Sequence, residues 1–164
     1  MVILDIYVDD IIFGSDNDQL RQKFADSMHN EFEMSMLGEI KFFLGLQITQ
    51  SDKGIFISHT KYINEMLKKF QMQDSKLVGT PMDTRCKLSQ TDDYKDVEQK
   101  MYCSMIGSIL YVTTKPDVMH AVFQAARFQA SPKASHLLAV KRILRYLKGT
   151  IQYGLWYPKG NHLD

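Results

Sequence analysis

Two cysteines, Cys86 and Cys103, are too few and too far apart in sequence for a disulfide framework or a Cys-x-x-Cys pair, which suits a reducing compartment. The five histidines are scattered singly, so the spacing of a zinc site is missing too. No apolar run approaches the roughly 20 residues a transmembrane helix needs. The first ten residues carry Asp5, Asp9 and Asp10, which excludes a secretory leader pattern. No membrane partner is expected, and an intracellular location is. Acid is absent from residues 118–163, where seven bases stand: Arg127, Lys133, Lys141, Arg142, Arg145, Lys148 and Lys159. Residues 1–117 carry 13 bases against 18 acids, so the net charge of +1 hides a sign asymmetry. Either a polyanionic partner for the basic end or a solvated helix face accounts for it.

What is present is a chain of 164 residues, 45% of them hydrophobic, enough for one ordinary domain or two small lobes with a core. The stretch richest in chemistry is Tyr7-Val8-Asp9-Asp10, flanked by Val2-Ile3-Leu4 and Ile11-Ile12-Phe13. Two adjacent carboxylates between β-type apolar runs cannot both stay ionised if buried, so the string reads as strand, acidic turn, strand. Asp-Asp is also a common turn dipeptide, and a plain structural turn gives the same string. A divalent cation held through one or two carboxylates and substrate phosphates gives the acids a task. Asp16-Asn17-Asp18 hints at a calcium loop, but Arg21 stands where that loop needs glycine. Asp5, inside the first strand, must face solvent or find a partner.

The periodicities predict an α+β chain. A helix to about Phe32, capped by Asp16 or Asp18, presents Leu20, Phe24, Met28 and Phe32 as one stripe beneath the hairpin. Residues 40–57 alternate around Asp52-Lys53-Gly54 and predict a hairpin of Lys41–Thr49 with Ile55–Ile57, placing Phe42, Leu44, Leu46 and Ile48 on one face. Ser58 or Thr60 caps the next helix, whose stripe is Ile63, Met66, Leu67 and Phe70, with Lys61, Lys68 and Lys69 off it. Residues 74–100 read as a linker through Gly79, Pro81 and Ser89-Gln90-Thr91-Asp92-Asp93. Three helices follow: Val97–Thr114, one from an Asp117 cap to about Gln129, and one from Ser131-Pro132 to Lys148, stopped by Gly149 as a left-handed C′ residue. Leu137, Val140, Leu144 and Leu147 form the last helix's buried stripe, and Tyr153–Tyr157 begins a strand.

The acidic hairpin in this setting resembles the catalytic hairpin of reverse transcriptases. Four further blocks look like successive segments of copia-type retrotransposon polyproteins: Phe42–Ile48, Gly79-Thr80-Pro81-Met82, Tyr102–Ser108 and Val140–Thr150. The resemblance runs from about Ile3 to the C-terminus. It implies a partial palm at 1–58, a thumb-like helix at 59–73, the linker at 74–100, a helical connection at 101–150 and a tail at 151–164 leading toward a ribonuclease H domain. It implies that Asp9 and Asp10 are catalytic metal ligands for Mg²⁺ or Mn²⁺, Asp9 the more direct one. Tyr7 and Val8 would lie near the primer terminus and the incoming nucleotide. Phe43, Leu44 and Gly45 would belong to a primer grip, with Phe43 and Gly45 facing the primer. Lys61, Lys68, Lys69, Lys141, Arg142, Arg145 and Lys148 would contact nucleic acid.

The partners so implied are an RNA or DNA template-primer duplex, deoxynucleoside triphosphates and the rest of the polyprotein, in a cytoplasmic virus-like particle or the nucleus. One departure matters: the family's other essential aspartate belongs to an earlier strand, and only six residues precede Tyr7. The isolated chain is therefore expected not to polymerise. Cys103 stands where many relatives carry arginine. A non-catalytic nucleic-acid-binding or structural remnant is the competing reading, and a plain helical interaction module the third.

Overall fold

The computed structural model describes residues 1–83, 88–89, 93–112 and 114–160. Cys86 and the Gln90–Asp92 part of the expected linker lie outside the described residues. Helices and antiparallel sheets are both present, as the α+β reading expects. The chain divides into two compact units, Met1–Lys41 and Phe42–Asp164.

The first unit is a hairpin and a helix. β1 (Val2–Tyr7) and β2 (Asp10–Ser15) pair antiparallel from Val2 opposite Ser15 to Tyr7 opposite Asp10. α1 (Asp18–Glu31) is capped by Asn17, whose side chain accepts from the backbone N–H groups of Gln19 and Leu20 at 2.9 and 3.2 Å. The cap is thus neither Asp16 nor Asp18, because only Asn17 stands one residue ahead of the first helical turn in the extended conformation a cap requires. Phe24 of α1 meets Phe13 of β2 with ring centroids 4.8 Å apart. Phe24 and Met28 are half-buried, whereas Leu20 and Phe32 at the ends of the expected stripe are exposed. No residue of this unit is fully buried, and the hairpin ladder, the Asn17 cap and the Phe13–Phe24 contact are among the interactions that order it.

The second unit joins a four-stranded sheet to a helical core. β3 (Phe42–Phe43), β4 (Leu46–Ser51), β5 (Gly54–Ser58) and β6 (Leu155–Pro158) lie in that order, all antiparallel. The expected single strand Lys41–Thr49 is corrected here. Leu44 and Gly45 both have positive φ, 48° and 77°, the signature of a two-residue type I′ turn, so Phe43 folds back opposite Leu46. Phe42, Leu44, Leu46 and Ile48 therefore do not share a strand face. The alternation is interrupted at this turn, where Gly45 approaches the Tyr111 ring of a distant segment.

β6 is the distant tail strand predicted from Tyr153–Tyr157, and its docking beside β5 could not be read from local pattern. Glycine permits it. A Cβ on Gly54 would lie 2.3 Å from the Tyr157 carbonyl oxygen, and one on Gly154 2.2 Å from the Ile57 carbonyl oxygen. Only hydrogen fits at these two crossings.

α2 (Thr60–Lys69), α3 (Gln99–Leu110), α4 (Pro116–Ala126) and α5 (Ala134–Gly149) form the core. Ile63, Met66 and Leu67 of α2 pack with Met105, Ile106 and Ile109 of α3, Val118, Ala121, Val122 and Ala125 of α4, and Val140, Ile143, Leu144 and Leu147 of α5. Each fully buried large apolar side chain contributes about 1.5–3 kcal/mol. Tyr102 is buried among them and donates to the Ala125 carbonyl at 2.7 Å, which satisfies its hydroxyl.

Several helix ends differ from the expectation. α3 stops at Leu110, not Thr114, and α4 takes Pro116 at its first turn with Lys115 as cap, leaving Asp117 inside the helix. α5 begins at Ala134 rather than after Ser131. Pro132 and Lys133 are drawn into extended pairing: Val97 N–H donates to the Pro132 carbonyl, Ala134 N–H to Lys95, and Asp96 bridges Lys133. The α5 start is closed by His136, which accepts from Lys133 N–H through Nδ1 at 3.0 Å. Its Nε2 therefore carries the proton and donates to the Ser89 carbonyl at 2.9 Å. Gly149 is the last helical residue and has no positive φ, so the left-handed C′ role does not apply.

Candidate functional site

The hairpin tip is a two-residue loop of Val8 and Asp9 between the partners Tyr7 and Asp10. Val8 has φ 54° while no positive φ occurs at Asp9, the sign pattern of a type II′ turn. That first position normally takes glycine, and a β-branched residue there stores strain of about 1–3 kcal/mol. Val8 is 80% exposed, so no packing offsets the strain.

Alternation along the hairpin sorts the side chains. Tyr7, Asp10, Asp5, Ile12 and Ile3 fall on one face, and Leu4, Ile6, Ile11 and Phe13 on the other, where Phe24 of α1 packs. Asp10 thus shares Tyr7's face, opposite the one that α1 supports, and Asp5 resolves its strand position by facing solvent on that same side. Asp9 and Asp10 are both exposed, and among the described residues neither carboxylate takes a hydrogen bond or an ion pair. Adjacent, unpartnered carboxylates are the oxygen donors that a hard divalent cation prefers, so the pair fits one side of such a site. Among the described residues no group of three or more His, Cys, Asp or Glu could hold a metal.

The expected primer-side triplet sits at the β3–β4 turn. Phe43 is half-buried opposite Leu46, and Leu44 and Gly45 are exposed at the turn. A Cβ on Gly45 would lie 2.7 Å from Cε1 of Tyr111, so the Tyr111 ring covers the side on which any larger residue would project. Tyr111 belongs to a ring cluster with Tyr62 at 5.1 Å and His59 at 6.2 Å.

The bases divide into free and engaged. Lys61, Lys68 and Lys69 are exposed on α2, off the buried stripe as expected, with Lys61 over the Phe42 ring at 5.4 Å and Lys69 over Phe70 at 5.0 Å. On α5 the cations are half-buried. Arg142 donates to the Thr80 carbonyl at 3.2 Å and its hydroxyl at 2.9 Å, and stands 3.9 Å from Asp83. Lys148 donates to the Ser75 carbonyl at 2.8 Å. Both therefore hold the 75–83 segment against α5. Lys141 makes no such bond, and Arg145 has no partner among the described residues.

Sequence reasoning missed the buried polar knot of the second unit. Lys115 is 3% exposed and donates to the carbonyls of Thr150 and Tyr153, tying α4's start to the end of α5. Burial pushes its pKa down, with Asp117 pulling the other way. His59 is 1% exposed and its Nδ1 pairs with the Thr114 hydroxyl at 2.8 Å. Burial, then the Lys115 charge, holds His59 below the usual histidine value. Lys115 before Pro116-Asp117 looks like an ordinary exposed helix cap in sequence, so no local signal marks it.

The family model described as reverse transcriptase (RNA-dependent DNA polymerase) matches residues 1–84. The chain is 34% identical over 165 residues to the retrovirus-related Pol polyprotein from transposon RE1 of Arabidopsis thaliana, covering 100% of the chain and 11% of that protein. It is 36% identical over 159 residues to the corresponding polyprotein from transposon TNT 1-94 of Nicotiana tabacum, covering 91% of the chain and 12% of the relative. An uncharacterized mitochondrial protein of Arabidopsis thaliana is 34% identical over 161 residues, with 97% and 66% covered. The chain thus spans about a tenth of the length of the two polyproteins. No solved structure matches it. Among the described residues, no helix is long and apolar enough to cross a membrane. With half of its length matched by the family model and nearly all of it aligned to transposon polyproteins, the chain belongs to the reverse transcriptase (RNA-dependent DNA polymerase) family, in its copia-type retrotransposon branch.

Proposed function

We propose that this chain is the C-terminal part of a copia-type reverse transcriptase, contributing the acidic hairpin, a primer-contacting hairpin and basic helices to RNA-directed DNA synthesis by the intact enzyme. The observation that carries this reading is the pair Asp9 and Asp10, unpartnered and exposed at a strained two-residue turn. Bound divalent metal supplies two services in such sites: it acidifies the primer 3′-hydroxyl and neutralises charge on the triphosphate. Asp9 and Asp10 supply oxygen ligands, and the ladder of β1 and β2 fixes their spacing. Tyr7, on Asp10's face, offers its ring beside the primer terminus, and Val8 reaches out at the tip. Phe43, Leu44 and Gly45 shape the primer-side turn, with Leu44 the residue placed to touch a strand.

Lys61, Lys68 and Lys69 provide exposed cations for phosphates, each a salt-dependent and sequence-blind contact. In this reading the 164 residues alone do not polymerise. The test is primer extension with Mg²⁺ and the four deoxynucleoside triphosphates. The isolated chain binds primer-template without extending it, and template-dependent synthesis by the chain alone contradicts the reading.

A further inference from the structure

The Gly79-Thr80-Pro81-Met82 block lies between α2 and α3 in backbone that forms neither helix nor strand, and the metal and primer roles leave it unused. The stretch leading to it is fastened to α5 at two points. Lys148 donates to the Ser75 carbonyl at 2.8 Å, and Arg142 donates through Nε to the Thr80 carbonyl at 3.2 Å. A second Arg142 nitrogen, Nη2, donates to the Thr80 hydroxyl oxygen at 2.9 Å. That hydroxyl accepts from a cation, while its own O–H has no acceptor among the described residues. Lys76, Leu77, Gly79 and Thr80 are all exposed.

Four prolines stand in the chain, and two of them follow an aliphatic hydroxyl, Pro81 after Thr80 and Pro132 after Ser131. The two positions differ in what holds them. Pro132 is buried, its carbonyl accepts from Val97 N–H, and Lys133 pairs with Asp96 at 2.7 Å. The backbone after Ser131 is thus committed to a bridge. Thr80 is held only through its carbonyl and hydroxyl, and Pro81 biases it toward the extended backbone in which a kinase groove takes a substrate. A phosphate on that hydroxyl would bring three acceptor oxygens and about two negative charges onto a guanidinium already in contact. Asp83, the carboxylate near Arg142, stands at 3.9 Å, too far for a hydrogen bond to compete. The neutral acceptor would become a charge-assisted one.

We propose that Thr80 is a phosphorylation site for a proline-directed protein kinase, and that Arg142 captures the phosphate and locks the 75–80 stretch onto α5. In the transfer, Oγ1 of Thr80 forms a bond to the γ-phosphorus of ATP as the bond to the β–γ bridging oxygen breaks. The hydroxyl proton passes to the kinase's catalytic base, and ADP leaves. Neither Thr80 nor Arg142 has a part in the proposed polymerase chemistry, so either proposal can fail without the other.

The experiment treats the folded whole chain with a purified proline-directed kinase and ATP, and maps incorporation by mass spectrometry. One phosphate on Thr80 is expected, entering about tenfold faster than any on Ser131. Thr80→Val should remove it. Phosphorus NMR then reads the capture. Pairing with Arg142 should pull the second ionisation of the phosphothreonine below its ordinary value of about 6, and Arg142→Gln should return it there. Amide exchange across residues 75–80 should slow about tenfold on phosphorylation of the unaltered chain, and not in Arg142→Gln. No incorporation at Thr80, incorporation only after heat unfolding, or an equal rate at Ser131 overturns the site. Incorporation at Thr80 with an ordinary titration in the unaltered chain overturns the capture by Arg142.

Discussion

Tyr7 and Asp10 stand directly opposite one another across the β1–β2 ladder, with only Val8 and Asp9 between them. That pairing forces the reversal into two residues and puts Val8 at φ 54°. It also sets the two aspartates on a rigid ladder end rather than a floppy loop. The arrangement trades local stability for the placement of two carboxylates at the extreme tip.

Replacing Val8 with glycine should release that strain. Glycine's greater freedom in the unfolded chain offsets part of the gain, about 0.5–1 kcal/mol. A net stabilisation of the hairpin by about 1 kcal/mol is expected. Amide hydrogen exchange at Tyr7 and Asp10, the hydrogen-bonded pair that closes the turn, reads it as protection raised about fivefold. Val8→Pro, locked near φ −65°, should abolish the protection. Equal or lower protection in Val8→Gly contradicts the strained turn.

Gly45 and Gly107 should respond with opposite signs to alanine. At Gly45 a methyl group would meet Tyr111 at 2.7 Å on a backbone of φ 77°, so a loss of about 1–3 kcal/mol is expected. Gly107, inside α3 with nothing within 4 Å of its Cβ position, should gain about 0.5–1 kcal/mol. Thermal melts of the two variants decide it.

His59 makes stability pH-dependent in a definite direction. Its folded pKa is lowered by burial and by Lys115, so the unfolded chain binds the proton more readily. The contribution is complete above the ordinary value of 6.5 and is lost as pH falls below it toward the depressed folded value. Within that window the loss is up to about 1.4 kcal/mol per pH unit. His59→Gln, which can keep a bond to Thr114, should flatten the decline between pH 6.5 and 5 relative to the unaltered chain. Parallel curves contradict it.

Elements with strong period were readable in the sequence: the stripe Ile63, Met66, Leu67 of α2 and Val140, Leu144, Leu147 of α5 are buried as expected. The acidic tip was readable because Asp-Asp between apolar β runs admits few other shapes. What escaped was set by distant partners. The Leu44-Gly45 turn broke a convincing alternation because Gly45 is drawn against Tyr111. The α5 start moved to Ala134 because Pro132 pairs with Val97. Lys115 and His59 carry no local pattern, since their burial is decided by segments far along the chain.

The metal role of the tip is open to one direct measurement. Mn²⁺ titrated into the isotope-labelled chain should broaden amide resonances centred on Tyr7 to Ile11 by paramagnetic relaxation, and the broadening should vanish in the Asp9→Asn, Asp10→Asn double variant. The same broadening in the double variant, or broadening centred elsewhere in the chain, contradicts a metal site at this hairpin.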